Sequence, residues 1–131
     1  YLLQLGFVDR LLGQLLERLR STGMWDSTLL VVTADHGLGF QLGQPHRFIT
    51  MTNYHDLAPV PLFVKAPQQR EGRVSKLPLE TIDIVPTVAD LLGMEMPWPV
   101  DGVSALAGRF RGRRRVAGAH ACRAGGGGRR E

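Results

Sequence analysis

The apolar residues Leu5, Val8, Leu12, Leu15 and Leu19 recur at alternating spacings of three and four, and Leu11 and Leu16 widen the stripe. That period places them on one face of an α-helix, with Arg10, Gln14, Glu17 and Arg18 toward water. Gly23 fits the position just past a helix end, and Asp26 with Ser27 makes a turn. The period then vanishes. Leu29, Leu30, Val31 and Val32 form a continuous apolar run, which predicts a strand covered on both faces, as in parallel sheets between helices. Helix, short link and central strand are half of a parallel α/β repeat.

After this strand the pattern dissolves. Residues 37–59 hold three glycines, two prolines and scattered polar side chains. A loop this long in a compact domain usually serves a function or moves. The stretch "VPLFVKAP" predicts a second short strand, with Pro61 suited to its start or to an edge and Pro67 ending it. "QQREGRVSK" reads as a surface turn. "LETIDIVPTVADLLG" predicts a helix: Thr81 or Asp83 caps it, Pro86 lies in the first turn, Val88, Leu91 and Leu92 face inward, and Gly93 stops it. Asp101-Gly102 makes a turn. No internal repeat is visible.

Length and charge then narrow the picture. The 131 residues allow at most one domain. The chain opens at Tyr1 inside the helical pattern, so the expectation is a carboxyl-terminal part of a longer protein. No window of about 18 apolar residues exists to span a membrane as a helix. The single cysteine, Cys122, excludes an internal disulfide. The net charge of +4 hides a division. Residues 1–107 carry eight basic and eleven acidic side chains, net −3, whereas residues 108–131 carry eight arginines and one glutamate, net +7. That tail has too little apolar surface to pack, so disorder is expected. An arginine-rich arm has the chemistry to bind nucleic acid or an anionic membrane. No nucleic-acid partner is expected apart from such a tail effect.

Candidate chemistry lies at Asp35 and His36, directly after the buried run. Ligands of open α/β sheets collect outside the carboxyl ends of strands. A carboxylate and an imidazole both bind divalent metals; zinc and manganese accept both, and calcium prefers oxygen. Gly37 lets the backbone turn sharply beside them. The residues alone leave two readings open: a metal-ligand pair, or a capping aspartate, a partly exposed histidine and a turn glycine. Asp83 is read as a helix cap, Asp9 and Asp26 as structural, and Trp25 and Trp98 as packing.

The segment "DRLLGQLLERLRSTGMWDSTLLVVTADHG" resembles the region before the second metal-binding motif of sulfatase-like proteins in the alkaline phosphatase superfamily. Asp9, Gly13, Leu19, Gly23, Asp26, Thr28, Thr33, Asp35, His36 and Gly37 match its order. "VPLFVKAP", "ETIDIVPTVADLLG" and "DGVSAL" are similar to later motifs, so the resemblance covers about residues 5–106. It implies an α/β fold, part of a three-layer sandwich with a mostly parallel sheet between helices, alkaline phosphatase-like. Residues 1–107 would be the carboxyl-terminal part of the catalytic domain, with the nucleophile upstream.

By this resemblance Asp35 and His36 are ligands of a divalent ion, calcium or else zinc or manganese. The implied function is metal-dependent hydrolysis of sulfate esters by the intact protein, this piece alone being inactive. The alternatives are a phosphoryl-group transferase or phosphodiesterase of the same superfamily, or a catalytically incomplete fragment with a nucleic-acid-binding basic tail. The substrate would be an anionic sulfate or phosphate ester. After the motif the sequence departs from secreted arylsulfatases, which place a histidine and a lysine near the sulfate. Here His46 and Arg47 stand instead, as candidate substrate contacts or as solvated loop residues, and His55 has the same two readings. "NYHDLAPVPLFVK" resembles membrane-anchored relatives more than soluble ones, which leaves membrane or extracytoplasmic placement through upstream segments open; the sequence itself assigns no location.

Overall fold

A computed structural model of the protein describes residues 1–107, and the tail for which disorder is expected, 108–131, lies outside the described residues. The described residues form two compact units: residues 1–35 with 60–107, and residues 36–59.

In the first unit, helix α1 spans Leu2–Ser21. Arg18 and Arg20 lie in its last turn, where positive charge complements the helix dipole. The side chains of Ser21 and Thr22 both donate to the Arg18 carbonyl, at 3.0 and 2.8 Å. Gly23 follows with φ +71°, the left-handed conformation expected just past a helix end. The apolar stripe is covered differently from its prediction. Leu12, Leu16 and Leu19 are half-buried, while Leu5, Val8, Leu11 and Leu15 stay exposed. Among the described residues no strand or other helix packs on α1. The chain does fold back at Met24 and Trp25, whose amides reach the Leu19 carbonyl at 2.9 and 3.0 Å.

Strand β1 spans Leu30–Thr33 and strand β2 spans Leu62–Lys65. They pair antiparallel, from Leu30 opposite Lys65 to Thr33 opposite Leu62. This pair departs from the mostly parallel sheet expected. A parallel return needs a crossover, usually a helix of several turns; residues 34–61 contain only the four-residue helix α2, Tyr54–Leu57. Leu30, Val31 and Val32 are also half-buried rather than enclosed on both faces.

Lys65, at the end of β2, secures the link before β1. Its ammonium donates to the carbonyls of Trp25 and of Thr28, the latter at 3.0 Å, and lies 4.8 Å from the centre of the Trp25 ring. The Arg20 guanidinium lies 4.7 Å from the same ring. Asp26 accepts from Arg70 at 3.1 Å, and its carbonyl accepts from the Gln68 amide at 2.7 Å. Trp25 and Asp26 therefore have the packing and structural roles read from the sequence. Trp98 does not, being 64% exposed.

The predicted second helix forms as a 3₁₀ turn, Thr81–Asp83, leading into helix α3, Ile84–Leu91. Asp83 acts as a cap, in a reciprocal arrangement with Glu80: each side chain accepts the other's backbone amide. Asp83 is 1% exposed, and its second oxygen accepts from the Val103 amide. Thr87 donates to the Asp83 carbonyl at 2.6 Å and accepts from Ala105 at 2.9 Å. Segment 103–105 is thereby fastened to the start of α3. Leu92, expected inward, is exposed because it caps the end of α3 rather than joining its inner face. Among the described residues no helix is long and apolar enough to cross a membrane.

Candidate functional site

Strand β1 ends at Thr33, and two residues on stand Asp35 and His36. Asp35, exposed, closes the first stretch of the first unit; His36, half-buried, opens the second unit. The His36 Nδ1 lies 2.7 Å from the Gly37 carbonyl oxygen. A carbonyl can only accept, so Nδ1 carries the proton in this contact. An imidazole in that tautomer, oriented through its Nδ1–H, is how metal-binding histidines are commonly held.

Gly37 then ties this residue into the unit. Its amide donates to the Leu57 carbonyl at 2.7 Å. A Cβ at Gly37 would run into the Asp56 carbonyl oxygen and approach the Leu57 Cα to 3.1 Å. Its φ is not left-handed. Glycine is needed here for close backbone approach, not for the sharp turn inferred from the sequence.

The rest of residues 36–59 is knit by polar contacts within the unit. The Gly39 amide donates to the His46 carbonyl at 3.0 Å, and the His46 Nδ1 returns to the Gly39 carbonyl at 2.8 Å. His46 is therefore held by both backbone and ring. Arg47 is exposed and makes no hydrogen bond or ion pair among the described residues. His55, exposed on helix α2, packs its ring against half-buried Tyr54, with centroids 4.1 Å apart. Gln41 donates to the Asp56 carboxylate at 2.8 Å. These two residues, with Leu38 and Phe40, line a hollow of about 450 Å³.

The sequence reading missed Asn53, which is fully buried. Its amide nitrogen donates to the carbonyls of Pro45 and Phe48 at 3.1 and 3.0 Å, and its oxygen accepts from the Thr50 amide at 2.7 Å. An asparagine directly before α2 carries an N-cap signal. The side chain makes no cap bond, however, and serves the preceding loop instead.

Asp35 and His36 offer one carboxylate and one imidazole, donor types that zinc, manganese and calcium sites use. Among the described residues no three or more His, Cys, Asp or Glu side chains gather where they could share an ion. Zinc takes about four ligands and calcium about six to eight, more than one carboxylate and one imidazole supply.

The family model described as Sulfatase matches residues 1–94. The chain is 34% identical over 99 residues to arylsulfatase K of Danio rerio, covering 75% of this chain and 18% of that one. It is 38% identical over 101 residues to the multifunctional alkaline phosphatase superfamily protein PehA of Trinickia caryophylli, covering 76% and 19%. It is 33% identical over 110 residues to choline-sulfatase of Rhizobium meliloti, covering 81% and 21%. Among solved structures it resembles the phosphonate monoester hydrolase SpPMH from Silicibacter pomeroyi, with a TM-score of 0.63 and 43% identity over 75% of this chain and 19% of that one. The chain spans about a fifth of the length of the curated relatives it matches.

Proposed function

Because the chain belongs to the sulfatase family of the alkaline phosphatase superfamily, we propose that it supplies one side of the site of a metal-dependent sulfate-ester hydrolase. The observation that carries this reading is the placement of Asp35 and His36 just past β1, with His36 in the Nδ1–H tautomer set by the Gly37 carbonyl. In the intact protein, β1 and β2 would lie at the margin of a three-layer, mostly parallel α/β sandwich, an antiparallel edge pair being common on such sheets.

Asp35 would contribute an anionic oxygen and His36 the Nε2 lone pair to a divalent ion. When bound, the ion supplies a Lewis acid that offsets charge developing on the transferring group. Holding one imidazole nitrogen on a backbone carbonyl fixes the ring, so no reorientation is needed as substrate enters. Arg47 presents a guanidinium suited to the oxygens of an anionic ester. His46, with its Nδ1–H occupied by the Gly39 carbonyl, offers Nε2 as an acceptor for a proton of bound water or alcohol.

A second reading replaces sulfate by phosphate or phosphonate esters. It is favoured by the 43% identity to a protein named as a phosphonate monoester hydrolase. One experiment tests both. The intact protein is assayed with matched aryl sulfate, phosphate monoester and phosphonate monoester substrates, before and after Asp35→Ala. The first reading expects aryl sulfate to be turned over fastest and turnover to be abolished in the variant. Faster phosphorus-ester turnover selects the second reading, and unchanged turnover in Asp35→Ala refutes the role of the pair.

A further inference from the structure

In residues 36–59 the deepest polar side chain, Asn53, turns both donors and its oxygen inward, onto the loop's own backbone. Asn53 can donate twice and accept at its oxygen. Both donations are made, to Pro45 and Phe48, and the oxygen accepts from Thr50. Those two carbonyls bracket His46 and Arg47 in the chain. The amide thus closes a ring around the two residues, and the Thr50 contact seals its far side. Thr52 donates to the Gln44 side chain at 3.0 Å, a second tie across the same arc. On the inner side, Gly39 grips His46 through both its amide and its carbonyl.

Such a buried amide is costly to leave unsatisfied, so the arc has one favoured shape while Asn53 is present. Arg47, exposed, lies within it. A long side chain on an unconstrained loop would lose backbone and side-chain freedom on meeting an anion. A pinned backbone has already lost the larger part, and pre-ordering of this kind raises affinity without a new contact.

We propose that Asn53 is a positioning residue that sets the arc carrying His46 and Arg47 for contact with the anionic group of the substrate. This rests on the reading of Arg47 as an anion contact in the proposed hydrolase. Asn53 touches no substrate; it acts through Arg47. Nothing in residue type or spacing separates Asn53 from an ordinary helix-start asparagine, and only its three loop contacts do.

The test is a double-mutant cycle in the intact protein, combining Arg47→Ala with Asn53→Ala. The probe is inorganic sulfate, its affinity measured by calorimetry, with KM and kcat for an aryl sulfate measured in parallel. Melting curves report whether each variant folds; if Asn53→Ala does not, Asn53→Ser replaces it. Loss of one charge-assisted contact should weaken sulfate binding about tenfold in Arg47→Ala. Asn53→Ala should weaken it by a similar factor, raising KM with kcat nearly unchanged. The double variant should be no weaker than either single one, because both changes remove the same contact. A purely structural Asn53 would give losses that multiply, and that result overturns the proposal. So does a sulfate affinity that either single change leaves untouched. Coupled sulfate binding without hydrolysis of any ester would sink the hydrolase reading and uphold this inference.

Discussion

The carboxylate of Asp83 accepts the backbone amide of Val103, twenty residues later, at 2.7 Å. Its other oxygen accepts from Glu80 at 2.9 Å. One buried acid therefore closes the capping box of the 3₁₀ turn that leads into α3 and fastens the segment after α3. Asp83→Ala leaves two amides without their charged acceptor, which should cost about 3 kcal/mol. Asp83→Asn retains one oxygen acceptor and should lose less. Urea denaturation of the intact protein checks both values, and a loss below about 0.5 kcal/mol for the alanine variant would show that water replaces these bonds freely.

Gly37 permits a backbone approach that no other residue allows. Adding one methyl group there meets the Asp56 carbonyl, so Gly37→Ala must push residues 36–37 away from Leu57. The expected cost is about 2 kcal/mol, in the range for overpacking. Hydrogen exchange at residue 37 reports it directly. The amide bonded to Leu57 should be protected in the native protein and exchange quickly in the variant.

Lys65 acts through its ammonium on two main-chain carbonyls, those of Trp25 and Thr28. Lys65→Met keeps an unbranched apolar stem but removes both bonds and the cation's contact with the Trp25 ring. The expected loss is about 1–2 kcal/mol. Faster amide exchange in residues 24–28, with β1–β2 pairing intact, would identify the link between α1 and β1 as the affected part.

The elements themselves were legible. Period fixes α1 and α3, and β-prone apolar runs fix β1 and β2, because these signals are local. Gly23 and Gly93 mark both helix ends, each with a left-handed φ. The pairing direction was misjudged from the apolar run alone; it depends on what lies between the strands, and residues 34–61 lack the helical period of the crossover that a parallel return needs. The covered side of α1 was not legible, because a sequence stripe shows which face could be buried but not what buries it. At the candidate site, Asp35 and His36 stand out because they follow a continuous apolar run. Asn53 does not, because its partners are Pro45 and Phe48 carbonyls and the Thr50 amide, backbone groups that every residue type carries.

Metal content is the sharpest test of the whole account. The intact protein, stripped with chelator and reloaded with calcium, zinc or manganese in turn, is weighed for bound metal by elemental analysis alongside Asp35→Ala and His36→Ala. Stoichiometric uptake of one of these ions by the native protein, with affinity reduced at least about a hundredfold in each variant while both still fold, is the result expected from loss of a direct ligand. Full metal occupancy with native affinity in both variants would contradict it.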